Sequence, residues 1–201
     1  VPIVEVYADV VCPFAYVGLT RLLQRRHELG RDDVVLRIRA WPLEVVNGAP
    51  VDPDLIAEEI DEIAPQVAPE LFRGFDPASF PTSSIPALAL THAGYQRSAA
   101  TGEQVAMELR RLLFEERTDI ADPDVLAAVG RRYAVTDPAD PAAVMADHER
   151  GKELGVIGSP HFVVGGASLF CPVLDISRHD GHLRVRIDPD GFDRLAAACF
   201  S

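Results

Sequence analysis

Residues 3–41 read as strand, helix, strand, and strand character does not return until residue 161. That pattern is the strongest constraint on the fold. "IVEVYA" (3–8) is short, apolar and β-branched, as a buried strand is. From Pro13 to His27 the apolar residues Phe14, Val17, Leu22 and Leu23 recur at helical spacing. Pro13 suits the first helical turn, where its missing N–H costs nothing. "VVLRIRAW" (34–41) alternates apolar and basic residues as a second strand. A strand–helix–strand unit begins a parallel sheet.

"NGAPVDP" (47–53) breaks the pattern. An acidic amphipathic helix is expected at 53–63, then a proline-broken loop over 65–83, then helices at 86–100, 102–117, 123–135 and 141–155. Asp122-Pro123 and Asp140-Pro141 are N-cap and first-turn pairs. "HFVV" (161–164), Gly165-Gly166 and "ASLFC" form a hairpin signal. "LRVRI" (183–187) reads as a further strand and 188–199 as a closing helix. The whole is an α/β chain, a thioredoxin fold with a large helical insertion. Residues 1–49 and 155–201 form the thioredoxin-like domain and 50–154 the insertion.

A net charge of -12 argues against a nucleic-acid surface, because phosphate binding needs clustered Lys and Arg. No apolar run approaches the ~20 residues of a membrane span, and no signal-peptide pattern opens the chain. Three widely spaced cysteines make neither a disulfide framework nor a zinc site. A cytoplasmic protein, monomeric or homodimeric, is expected. "SRHDGH" (177–182) is a polar turn without a fourth metal ligand. Nucleotide-binding and hydrolase motifs are absent.

The chemistry concentrates in "ADVVCPFAYVG" (8–18) and "GVIGSPHFVV" (155–164). Cys12 is placed where a strand passes into a helix, beside unpaired N–H groups and the positive dipole end. That setting lowers a thiol's pKa. Pro160, leading directly into a strand, belongs at its first position, and if the Ser159–Pro160 bond is cis, the preceding backbone is left free to pair with an extended thiol ligand. His161 begins the strand.

These two segments, with Asp9, Cys12-Pro13-Phe14-Ala15-Tyr16-x-Gly18 and Gly155-Val156-x-Gly158-Ser159-Pro160-x-Phe162, resemble the DsbA-type branch of the thioredoxin superfamily. That branch includes FrnE-like oxidoreductases, 2-hydroxychromene-2-carboxylate isomerases and kappa-class glutathione transferases. The resemblance implies a site of Cys12, Pro13 and Pro160, with Phe14, Ala15, Tyr16, Ser159, Asp9 and Trp41 contacting substrate or thiol cofactor. The oxidoreductases carry a second cysteine where this chain has Ala15. The isomerases and transferases typically have serine at position 12 and bind glutathione. A dithiol reaction through positions 12 and 15 is therefore excluded.

Three functions stay open. In monothiol exchange, the Cys12 thiolate attacks a disulfide and a small thiol resolves the adduct. In an isomerase- or transferase-like reaction, Cys12 contacts the sulfur of glutathione or another small thiol, none being held tightly. The third is a non-catalytic binding protein. A catalytic Cys12 thiolate titrates well below the free value of about 8.5, whereas a value at or above it fits the binding reading alone. Cys171 is a possible resolving thiol, since a two-residue turn at Gly165-Gly166 sets Pro160 opposite it. Cys199 is core packing.

Overall fold

The computed structural model describes residues 2–136, 139–180 and 182–200. Strand β1 (Ile3–Ala8) runs parallel to β2 (Val35–Ala40), with Ile3 beside Val35 and Ala8 beside Ala40. Helix α1 (Pro13–Glu28) connects them. β3 (His161–Val164) lies antiparallel to β1, and β4 (Ala167–Phe170) antiparallel to β3. The sheet order is β2-β1-β3-β4. The β3–β4 turn is Gly165-Gly166, with φ of 55° and 84°. A type I′ turn needs positive φ at both central residues, which only glycine adopts freely.

Between β2 and β3 lie the short α2 (Leu43–Asn47), then α3 (Pro53–Val67), α4 (Ile85–Arg97), α5 (Ala99–Glu115), α6 (Pro123–Arg132) and α7 (Pro141–Glu153). α3 continues through Pro65, beyond the expected end at residue 63. Ile56, Ile60, Ile63 and Val67 recur on one buried face, and burying that stripe outweighs one missing hydrogen bond near the helix end. The carboxylates of Asp122 and Asp140 cap α6 and α7, accepting from the backbone N–H of Asp124 and Ala142.

After β4 comes a second sheet, the hairpin of β5 (Leu174–His179) and β6 (His182–Ile187), and then α8 (Pro189–Phe200). The sequence pattern marks β6 but not β5. "LDISRH" carries only two apolar residues, and β5 is buried at Leu174 alone. Gly181 and the side chain of His182, part of the polar turn expected at 177–182, lie outside the described residues. Among those described, no group of three or more His, Cys, Asp or Glu is arranged to hold a metal, and no helix is long and apolar enough to cross a membrane.

The main core joins the sheet, α1 and the helices beyond it, and includes Cys12, Cys171 and Cys199. A smaller cluster of Tyr7, Trp41 and Val156 lies apart from it. There α7 reaches the cluster through Gly151, where an added Cβ would stand 2.7 Å from the Trp41 ring and 2.9 Å from Tyr7. Gly151→Ala is expected to destabilise the protein by about 1–3 kcal/mol through overpacking, measured as a lower urea midpoint. An unchanged midpoint would mean that α7 is free to move away from the sheet.

Candidate active site

Cys12 ends the turn after β1 and is the N-cap of α1, with extended φ and ψ of -83° and 114°. Pro13 opens the helix because the first helical N–H has no partner to lose. The Cys12 thiol donates to the Ser159 carbonyl at 3.2 Å. The Ser159–Pro160 peptide is cis. From the other side, the Ser159 hydroxyl accepts the Asp9 N–H at 2.9 Å. Asp9 and Ser159, 150 residues apart in sequence, thus form one site with Cys12 and Pro160.

Asp9 is fully buried. Its Oδ1 accepts from the Val11 N–H at 3.2 Å, and Oδ2 accepts from the Leu43 N–H at 2.6 Å and the Ser84 hydroxyl at 3.1 Å. Burial pushes its carboxyl up to about 6, against these hydrogen bonds and the nearby Arg110 charge. Arg110 on α5 is itself 1% exposed. It donates to the Asp9 carbonyl at 3.1 Å and to the Ala106 carbonyl at 2.8 Å. A buried guanidinium next to a buried carboxyl offsets part of the desolvation that each suffers.

The thiol departs from expectation. Cys12 is only 3% exposed, and burial pushes it up to about 12, outweighing the Ser159 hydroxyl and the Ala15 backbone N–H, which favour the thiolate. The acidic charges of Glu59 and Asp9 push the same way. The helix terminus is present, but desolvation wins over it. That is the outcome which the criterion above assigns to the binding reading, because the criterion takes Cys12 itself as the nucleophile; a Cys12 that only donates a hydrogen bond to another sulfur needs no thiolate.

The other expected residues divide. Ala15 and Tyr16 are buried in the main core with Cys12, and Phe14 packs half-buried against it. The Tyr16 hydroxyl donates to the Glu115 carboxylate, and its ring stacks on Phe114 at 5.4 Å. Trp41 is not brought to the site. It packs edge-on to Tyr7 and beside His148 in the separate cluster under α7. His161 is a buried strand residue satisfied by Ser168, 2.7 Å from its Nε2.

Cys171 lies opposite Pro160 as the turn geometry requires, its N–H donating to the Pro160 carbonyl at 2.9 Å. All three thiols are free. Cys12 meets the Ser159 carbonyl and Cys171 the Pro160 carbonyl, so the two thiols flank the same dipeptide, and burial first and then the Cys12 charge push Cys171 up to about 12.

Arg110, Ser84 and Glu115 carry no motif in the sequence, and Glu59 falls in the acidic segment 58–62, which reads as a solvated helix face but is half-buried at this residue. Only Arg110 left a signal. It stands four residues after Ala106 and four before Phe114, a charge on the apolar face of α5.

A family model described as DSBA-like thioredoxin domain matches residues 3–180, and the chain belongs to that family. Among solved structures it is similar to the cytosolic disulfide reductase DsbM from Pseudomonas aeruginosa, at 17% identity over 97% of both chains with a TM-score of 0.63. The same reductase with GSH aligns at 19% identity over 97% of this chain and 98% of that one, with a TM-score of 0.62. A 2-hydroxychromene-2-carboxylate isomerase aligns at 15% identity over 84% of this chain and 88% of that one, with a TM-score of 0.55. At these identities the likeness is one of fold. No curated protein matches the sequence at a significant level.

Proposed function

We propose that this protein is a small-thiol-dependent enzyme of the isomerase or transferase kind, in which Cys12 meets the sulfur of a bound glutathione-like thiol as a neutral hydrogen-bond donor. One observation carries the reading: the Cys12 sulfur points at the Ser159 carbonyl, 3.2 Å away, at the segment entering β3. A peptide thiol lying extended along Ser159 would bring its own sulfur to Cys12. The Ser159 N–H has no hydrogen-bond partner among the described residues, so one edge of that residue is open to strand-like pairing. A solved relative in fold is a disulfide reductase with GSH, which supports the ligand class.

Monothiol exchange, placed first on sequence grounds, moves to second. It needs an ionised Cys12, and burial opposes ionisation. A buried thiol is chemically closer to the serine hydroxyl typical of the isomerase and transferase branch. When bound, the small thiol supplies the nucleophilic sulfur. This chain supplies the strand edge at Ser159, the donor at Cys12 and the positive end of α1, all of which favour an anionic sulfur there.

The test is to add reduced and oxidised glutathione separately at neutral pH, following thiolate absorbance and intact mass. Thiolate absorbance on binding the reduced form, with Cys12 unmodified, is the expected result. A Cys12–glutathione mixed disulfide from the oxidised form would establish monothiol exchange instead. Neither signal would overturn small-thiol dependence and leave the binding protein.

A further inference from the structure

Ser159 is presented to Cys12 by residues 155–160, which join α7 to β3 and belong to neither helix nor strand. Ile157 in this segment is 71% exposed, so its own side chain does not anchor it. The backbone is held instead. The Val156 N–H donates to the Gly151 carbonyl of α7 at 2.9 Å, and the Ile157 N–H donates to Nδ1 of His161 at 3.3 Å. Gly158 lies under the Phe170 ring, where a Cβ would come within 2.5 Å of it. His161 is 3% exposed, and its Nε2 is 2.7 Å from the Ser168 hydroxyl on β4. A backbone N–H can only donate, so Nδ1 accepts, and the neutral ring carries its proton on Nε2 and donates to Ser168. Burial favours the same neutral form, lowering the ring's titration.

We propose that His161 is a positioning residue, a clamp between β4 and Ile157 that holds Ser159 in the form a thiol ligand meets, and that protonating the ring releases it. A proton on Nδ1 would set one N–H against another, and the Ile157 N–H would have to turn away. Ser159, two residues on, carries the carbonyl that accepts from Cys12 and the N–H left open to the ligand. The groups around the ring come from four elements. Tyr7 of β1 pairs with His161, and Glu5 lies further along the same face. Arg39 of β2 bonds Glu5 and also Asp147 of α7. α7 further brings His148, packed on Trp41, and Arg150, whose charge acts on Tyr7. β4 supplies Ser168 and Phe170, neither of them charged. Among the described residues no carboxylate stands within 4.0 Å of the His161 ring, so a cation formed there lacks a partner.

The clamp rests on the reading that a small thiol lies along Ser159, but its first test needs no ligand. Nitrogen-15 NMR follows the two His161 ring nitrogens and the Ile157 amide as pH is lowered from 7.5 to 5. The expected result is an Nδ1 without a proton at pH 7.5 and an Ile157 amide that shifts in step with the ring. A protonated Nδ1 at pH 7.5, a ring that stays neutral to pH 5, or an Ile157 amide indifferent to the ring would overturn the clamp. Calorimetric titration with reduced glutathione then reads the consequence. Wild-type affinity is expected to fall at least about tenfold by pH 5, the scale of one lost hydrogen bond. In His161→Asn a side-chain oxygen that does not titrate replaces Nδ1, so affinity should stay within about threefold of the neutral wild-type value at both pH values. His161→Leu, with no acceptor, should bind at pH 7.5 as weakly as the wild type does at pH 5. Asp9, raised to about 6 beside the same serine, is present in all three proteins. Equal pH dependence in wild type and His161→Asn would therefore assign the effect to Asp9 and sink the proposal. A wild-type protein that binds no glutathione at either pH would count against the proposed function alone, and the NMR result would still decide on His161.

Discussion

Replacing Arg110 by methionine is expected to cost about 3–5 kcal/mol of stability at neutral pH, because it leaves Asp9 as a buried charge without its cation. The methionine fills much of the same space, so the loss is electrostatic more than steric. The pH dependence identifies it. Asp9 is raised from 3.8 to about 6 in the folded protein. A carboxyl with a raised folded pKa contributes stability that is fully present below its unfolded value and is lost as pH rises through the folded one. Two pKa units correspond to about 3 kcal/mol. Without Arg110 the folded value of Asp9 rises further, and the loss extends to higher pH. Urea unfolding at pH 4 should therefore show a much smaller difference between variant and wild type than at pH 7.5. Equal differences at the two pH values would mean that Arg110 acts by packing and by its bond to the Ala106 carbonyl, not through Asp9.

The second large effect concerns Cys12. If it serves as a hydrogen-bond donor to a cofactor sulfur, Cys12→Ser keeps a donor of similar reach while Cys12→Ala removes it. A hydrogen bond to a charged group contributes about 1.5–3 kcal/mol. Cys12→Ala is expected to weaken binding of reduced glutathione by about tenfold to a hundredfold, with Cys12→Ser within about threefold of wild type, on the same energy scale. Calorimetric titration measures both. Loss in Cys12→Ser equal to that in Cys12→Ala would mean that a hydrogen-bond donor at position 12 is not what holds the cofactor sulfur. Ala15 is what makes the two readings separable, since no second sulfur stands at that position to hide the behaviour of the first.

Cys12 is buried in the main core, and the packing that excludes water from it pushes its titration up. Any opening that rehydrates the sulfur would let the dipole end of α1 act on it.

The chemical identity of the two site segments was legible in the amino-acid order. Cys12-Pro13 has to sit at a strand-to-helix junction, because proline belongs in a first helical turn and the preceding apolar run can only be a buried strand. Pro160 has to open a strand, and Gly165-Gly166 has to turn it back, which places Cys171 opposite Pro160. Local backbone rules determine all of these, and each acts over a few residues. The structure agrees at each point. What the sequence could not supply were quantities set by distant segments. Trp41 follows β2 directly, yet α7 claims it for the cluster with Tyr7 and His148. β5 lacks an apolar pattern because α3 covers β6 and leaves most of β5 exposed. The Cys12 thiol carries the helix terminus that lowers a pKa, and the fold overrides it by desolvation in the assembled core. Hydrogen-bonding and turn preferences are local and can be read in order, whereas burial is a sum over everything that packs nearby, and only the assembled tertiary structure performs that sum.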